Sequence, residues 1–89
     1  MEKKHTPGPW KTQTHISLDR LEIRDADGRR IAVCAMDYPM SVKTHDANAS
    51  LIAAAPELLE ALIGVVKVAD RATKEFDKAR AAISKAIGA

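Results

Sequence analysis

Residues 21–35 read LEIRDADGRRIAVCA, and this stretch decides the fold of the chain. Its first four residues alternate between apolar and polar, which is the period of a half-buried β-strand. Asp27 and Gly28 together supply the backbone conformations that a tight hairpin turn needs. The apolar run of residues 31–35 is typical of a returning strand with one face covered by a helix. Because an isolated hairpin is only marginally stable in water, we expect a helix to pack on it.

The segments on either side of the hairpin extend this pattern. Residues 10–16 are predicted to form a polar first strand, so the sheet is a hairpin or a three-stranded meander. From residue 46 onward nearly every residue favours helix. Either Thr44 or Asp46 can cap the first helix, because a side-chain oxygen there accepts an orphan backbone N–H. Pro56 should end this helix, since a proline ring pushes the preceding residue out of the α region.

A second, long helix is predicted from Pro56 to Ile87, with apolar residues at alternating spacings of three and four that indicate a heptad seam. A helix of about thirty residues is roughly 45–50 Å long, whereas a domain of this size has a radius of gyration of only ~12 Å. Two outcomes remain open. Either the helix breaks near Gly64 or at Ala69-Asp70 and folds back, or its distal half pairs with a second chain. No proline or glycine cluster follows Gly64, which favours a homodimer.

The residues expected to carry this self-association share the seam of the long helix. They are Leu59, Leu62, Val66, Phe76, Ile83 and Ile87.

The length and composition of the chain set limits on its organisation. At 89 residues it is predicted to be a single α+β domain over residues 1–89, with the N-terminal loop and hairpin in 1–45 and the helical part in 46–89. Since the chain has only one Trp, one Tyr and one Phe, the core must be aliphatic and rich in alanine. A core this small makes a lone monomer marginally stable, which is a further reason to expect a dimer.

The charge balance and the single cysteine exclude several classes of protein. The formal net charge is +2, with basic residues interleaved with acidic ones, so the basic stripe of a duplex DNA binder is missing. One cysteine, Cys34, allows no intramolecular disulfide, which fits a reducing compartment. No signal peptide or membrane span is expected, because every apolar run falls far short of ~20 residues. We therefore expect a cytoplasmic protein with no membrane partner.

Two further stretches carry a family resemblance. Residues 5–10 read HTPGPW, and residues 48–62 read NASLIAAAPELLEAL. They resemble the two signature stretches of small bacteriophage and prophage proteins, which carry HTPGPW near the N-terminus and NAxLIAAAPELLEAL later. Ser50 stands where a long basic side chain is common in that family.

This resemblance implies an accessory phage gene expressed in the cytoplasm of the bacterial host. Small phage proteins of this size often act by stoichiometric binding against host defences. Some sequester nucleotide immune signals, and others cap a defence nuclease. By analogy, both modes are open for this chain.

The first candidate site is the N-terminal loop that contains Pro7, Gly8 and Pro9. The prolines stiffen the loop, and the glycine lets a backbone or ligand approach closely. Trp10 then has two interpretations. It either pins the N-terminus onto the core, or it stacks on a nucleotide base while His5 and Thr6 offer hydrogen bonds.

The second candidate site is the predicted start of the first helix at His45, Asp46 and Asn48. In one interpretation these residues only cap the helix. In the other, the free N–H groups and the positive end of the helix dipole bind a phosphate, with contacts from His45 and Asn48. Asp46 opposes that charge, so it would hold a ribose hydroxyl or act as the cap.

No enzyme, metal site or cofactor is expected. The sequence has no nucleophile elbow, phosphate-binding loop or triad order. His5, His15, His45 and Cys34 lack metal-ligand spacing. Asp25 and Asp27 flank the hairpin turn and are interpreted as turn residues.

The functional prediction is a non-enzymatic phage protein that sequesters a nucleotide immune signal. One alternative is a protein-directed, anti-CRISPR-like inhibitor of a host defence complex. It would act through the charged helix face or through the hairpin edge with Arg24, Arg29 and Arg30. The other alternative is a structural or regulatory phage accessory protein. The predicted ligand-binding residues are His5, Thr6, Pro7, Gly8, Trp10, His45, Asp46 and Asn48.

Overall fold

A three-stranded antiparallel sheet forms the first half of the chain. The computed structural model describes residues 4–14, 20–37, 39–69 and 71–88. The strands are β1 (Lys11–Thr14), β2 (Arg20–Arg24) and β3 (Arg30–Ala35), and their order in the sheet is β1-β2-β3. This confirms the predicted meander. His15 and Ile16, which the prediction included in the first strand, lie outside the described residues, as does Tyr38 of the following loop.

The turn between β2 and β3 is organised by one carboxylate. Asp25 Oδ1 accepts hydrogen bonds from the backbone N–H of Asp27 at 3.0 Å and of Arg29 at 2.9 Å. The Asp25 carbonyl accepts from the Gly28 N–H at 3.0 Å. Gly28 has φ +82°, a left-handed conformation that favours glycine. The Asp-Gly pair therefore reverses the chain as predicted.

The helix α1 (Val42–Ala53) covers this sheet. Its buried residues, His45 and Ala49, lie one turn apart on the face towards the strands. Ile23, Cys34 and Ala49 form the buried cluster, against which Trp10 and Leu21 pack. The core is aliphatic, as the scarcity of aromatic residues predicts.

The predicted start of α1 is wrong by about one turn. The N-cap is Ser41, not Thr44 or Asp46, and the Ser41 hydroxyl accepts a hydrogen bond from the Thr44 N–H at 3.1 Å. His45, Asp46 and Asn48 therefore lie within the helix. The reason is tertiary, because a helix that begins at Val42 places His45 as well as Ala49 on the buried face.

The helix α2 (Ala55–Ala69) follows directly, and Pro56 lies in its first turn. This confirms the predicted break at the proline. Of the two outcomes left open beyond Pro56, the break at Ala69-Asp70 is the one observed, because α2 ends at Ala69 and a separate helix α3 (Lys74–Ile87) follows. The uninterrupted helix from Pro56 to Ile87 is therefore wrong. Thr73 caps α3, and its hydroxyl accepts a hydrogen bond from the Phe76 N–H at 3.3 Å. A threonine cap thus begins a new helix without any proline or glycine.

The helices α2 and α3 share a second apolar cluster. Ile63 and Val66 of α2 are buried with Ile83 of α3. The partly buried residues packed against them are Leu59, Leu62, Phe76, Ala79 and Ile87. All six residues of the predicted seam therefore lie in one cluster within the chain, and self-association through them stays a prediction.

The chain divides into two compact units. One is Thr6–Pro56, and the other takes the described residues from Glu57 onward together with Lys4 and His5. Among the described helices, none alone is long and apolar enough to cross a membrane, although α1 and α2 taken together pass that test of length and composition across the break between them.

Candidate binding cleft beside the β2–β3 turn

A cleft of about 430 Å³ lies between the N-terminal loop and the turn that joins β2 to β3. Its lining residues are Thr6, Pro7 and Gly8 from the loop and Asp25, Ala26, Asp27, Arg29, Arg30 and Ile31 from the hairpin. This volume falls within the range of small-molecule sites in proteins.

The register of the sheet explains why these two segments meet. Lys11 of β1 pairs with Arg24 of β2 in an antiparallel ladder. Residues that precede Lys11 must therefore run beside residues that follow Arg24. The loop and the turn are brought together by the sheet itself, and the hydrophobic pattern of the sequence gives no direct sign of this.

Trp10 anchors the loop to the core. Its indole Nε1 donates a hydrogen bond to the Thr6 carbonyl at 3.1 Å, and its half-buried ring packs against the cluster of Ile23, Cys34 and Ala49. The peptide bond between Gly8 and Pro9 is cis. These contacts fit the anchoring interpretation of Trp10, while stacking on a base stays a prediction.

A buried carboxylate fixes two of the arginines near the cleft. Glu22 Oε1 accepts from Arg24 Nη2 at 2.6 Å, and Glu22 Oε2 accepts from Arg30 Nη1 at 2.9 Å. The hydrogen bond from Arg24, followed by that from Arg30, lowers the pKa of the Glu22 carboxyl below its ordinary value. Arg24 Nη1 also donates to the Gly28 carbonyl at 2.6 Å, which ties the charge cluster to the turn.

The remaining charged groups give the cleft two accessible guanidinium groups. The side chain of Arg29 is 76% exposed and contacts Asp27, with 3.0 Å between Nη2 and Oδ2. The side chain of Arg30 is 54% exposed although one nitrogen is held by Glu22. Guanidinium groups suit phosphate and carboxylate because they present several donors in a fixed plane. Arg29 Nε also lies 3.7 Å from Asp25 Oδ2. An anion in the cleft would therefore replace Asp27 as a partner of Arg29 and share this guanidinium group with Asp25.

The structure does not bring the second predicted site to this cleft. His45 is buried, and its Nε2 lies 2.7 Å from the Cys34 carbonyl. Since a carbonyl only accepts, Nε2 carries the proton, and the bond ties α1 to β3. Asp46 and Asn48 are exposed on α1, and Asn48 Nδ2 lies 3.8 Å from Met40 Sδ. None of these three residues lines the cleft.

His5 is half-buried and falls in the unit of α2 and α3. The predicted ligand set is therefore divided, and only Thr6, Pro7 and Gly8 line the cleft. Asp25 and Asp27 were interpreted as turn residues alone, and they line the cleft as well.

Within the described ranges, no group of three or more histidine, cysteine, aspartate or glutamate residues could hold a metal ion. Comparison with the curated proteins and with the solved structures gave no match. Comparison with protein families gave a match over residues 1–89 to the family described as Salmonella phage P22 protein Y8K6. The match spans both units, the cleft and the helices, so the chain belongs to this family of phage proteins.

Proposed function

We propose that the protein acts in the bacterial cytoplasm as a non-enzymatic binding protein that sequesters a small nucleotide signal of the host defence. The observation that carries the proposal is the cleft, in which the exposed guanidinium groups of Arg29 and Arg30 lie beside the loop of Thr6, Pro7 and Gly8. This combination offers charged donors for a phosphate and short polar groups for a ribose or base.

The charges around the cleft support a specific mode of binding. Arg30 is held in place by Glu22, so its exposed nitrogens are preorganised for a phosphate. Arg29 contacts an exposed carboxylate, Asp27, and surface ion pairs of this kind are worth only about 0–1 kcal/mol. A phosphate can therefore displace Asp27 at small cost, while Asp25 Oδ2 remains 3.7 Å from Arg29 Nε. The Thr6 hydroxyl and the backbone at Gly8 would then face the sugar or base.

The test is a thermal unfolding experiment with a panel of mononucleotides and of linear and cyclic dinucleotides. A ligand that binds only the folded state stabilises it by about 2.7 kcal/mol at a concentration of one hundred times Kd. We expect at least one nucleotide to raise the Tm and Arg29→Ala to abolish the shift. Arg71→Ala is the matched control, because Arg71 is an exposed arginine outside the cleft.

Two results would contradict the proposal. One is a Tm that no nucleotide in the panel raises. The other is an equal loss of the shift in the Arg29 and Arg71 variants, because the effect would then be a general one of charge.

The alternative is a protein-directed inhibitor, and one feature favours it. β3 lies at an edge of the sheet, and Val33 and Arg30 on this strand are exposed. A strand of a host protein can pair with such an edge. In that case Val33→Pro would abolish binding to the host complex, because proline removes a backbone donor. Arg29→Ala would have a smaller effect, and no nucleotide would raise the Tm.

A further inference from the structure

The helix α2 carries two apolar faces, and only one of them is covered by the residues that the structure describes. Leu59, Ile63 and Val66 lie in the cluster shared with α3. A second group on the same helix remains open to solvent. Leu58 is 54% exposed, Val65 52% and Val68 87%, and Ala61 between them is exposed as well. We call Leu58, Ala61, Val65 and Val68 the outer stripe.

The spacing of the outer stripe is that of a helix-pairing seam. Its members follow one another at intervals of three, four and three residues, which places them on one face of the helix. Such a–d spacing lets two helices interdigitate along their length. This seam is distinct from the one that starts at Leu59, since the members of that seam pack within the chain.

We propose that the outer stripe is the interface for a second copy of this chain, with the two α2 helices antiparallel. Glu57 lies in the first turn of α2 and Lys67 in the last turn. Antiparallel pairing brings the acidic end of each helix beside the basic end of the other, whereas parallel pairing would place like charges together. The helix dipoles favour the same orientation.

The centre of the outer stripe also suits a close approach of two helices. Gly64 lies near its midpoint. Apart from its chain neighbours and the adjacent backbone of α2, no atom of the described residues lies within 4 Å of the position that a Cβ would occupy there. In an antiparallel pair, Leu58 faces the partner's Val68 and Ala61 faces the partner's Val65. Because this arrangement is two-fold symmetric, each copy covers the outer stripe of the other, and assembly through this stripe stops at two chains. The proposal is independent of the nucleotide cleft, which lies in the other unit.

Sedimentation equilibrium of the full chain tests the interface. We expect a monomer–dimer equilibrium, and Val65→Asp should raise its dissociation constant by about tenfold or more, since it places a charge in an apolar contact. Val42→Asp is the matched control, because Val42 is 63% exposed on α1, outside the stripe. Circular dichroism verifies that both variants keep their helices. A chain that remains monomeric at millimolar concentration, or an equal effect of the two variants, would overturn the proposal.

Disulfide cross-linking tests the orientation. An antiparallel pair predicts that Leu58→Cys mixed with Val68→Cys forms a cross-linked dimer, while Leu58→Cys alone does not. The two Leu58 positions would be separated by ten residues along the helix axis, or ~15 Å, beyond the reach of a disulfide. Cys34 is buried and stays in place during this experiment. Cross-linking of the Leu58 variant alone would overturn the antiparallel arrangement.

Discussion

The two units of the chain are stabilised in different ways. In Thr6–Pro56, directional polar contacts fix the geometry around a small apolar cluster: Glu22 binds two arginines, Asp25 organises the turn, and His45 contacts the Cys34 carbonyl. In α2 and α3, the described interior is an apolar seam that includes Phe76. Polar contacts fix the positions of the groups they join because they depend on distance and direction, whereas apolar contacts mainly require that a surface be buried. The first unit therefore presents a shaped cleft, and the second presents an open apolar stripe.

Among the substitutions that test this difference between the units, Ile23→Ala is expected to cause the largest loss of stability. Ile23 is fully buried in the cluster beneath the sheet, and removing such a side chain costs about 2–5 kcal/mol. The measurement is chemical denaturation followed by the fluorescence of Trp10, which is the only tryptophan and packs against this cluster. A loss of stability below about 1 kcal/mol would contradict the assigned core.

Ile83→Ala is the matched control, because Ile83 is buried to the same degree between α2 and α3. We expect it to lower the midpoint of the helical circular dichroism signal and to leave the Trp10 transition nearly unchanged. A common shift of both signals would show that the two regions unfold as one.

A smaller effect is expected from acid. The pKa of Glu22 is lowered in the folded protein relative to its ordinary value of 4.5, so the unfolded chain binds a proton more readily than the native one. The stability that Glu22 contributes is therefore fully present above pH 4.5 and is lost as the pH falls through the folded-state pKa. Glu22→Gln should flatten this acid slope, which denaturation at a series of pH values measures. An unchanged slope would show that the arginines do not hold the carboxylate.

The β-hairpin and the break at Pro56 could be predicted from the sequence because both depend on local backbone chemistry. The Asp-Gly pair sets the turn. Pro56 stops α1 from continuing because it has no N–H for the carbonyl four residues earlier and its ring clashes with that carbonyl, while Ala55 before it is already helical in α2. The start of α1 could not be predicted in the same way. Ser41, Thr44 and Asp46 are all able to cap a helix, and the choice among them depends on which side chains the sheet buries.

The cleft depends on long-range effects in the same manner, and so does the choice of the break at Ala69-Asp70 over an uninterrupted helix. Thr6 lies near Arg29 because Lys11 pairs with Arg24, and the register of two strands is not visible in either strand alone. The helix propensity of Thr73 is not low enough by itself to end α2. It supplies a cap for α3, and the seam of α2 becomes covered when α3 folds back.

The smallest loss of stability is expected from substitutions at the helix N-caps, of which each unit has one: Ser41 for α1 and Thr73 for α3. Ser41→Ala should destabilise α1, and Thr73→Ala should destabilise α3, each by about 1 kcal/mol, because each hydroxyl accepts a backbone N–H. Asp46→Ala is the control, since Asp46 lies inside α1 and its carboxylate is exposed. Thermal unfolding followed by circular dichroism measures all three variants. A larger loss of stability for Asp46→Ala than for Ser41→Ala would show that Asp46, and not Ser41, caps α1. That result would also place His45 outside the helix, and its contact with Cys34 could then no longer hold α1 against the sheet.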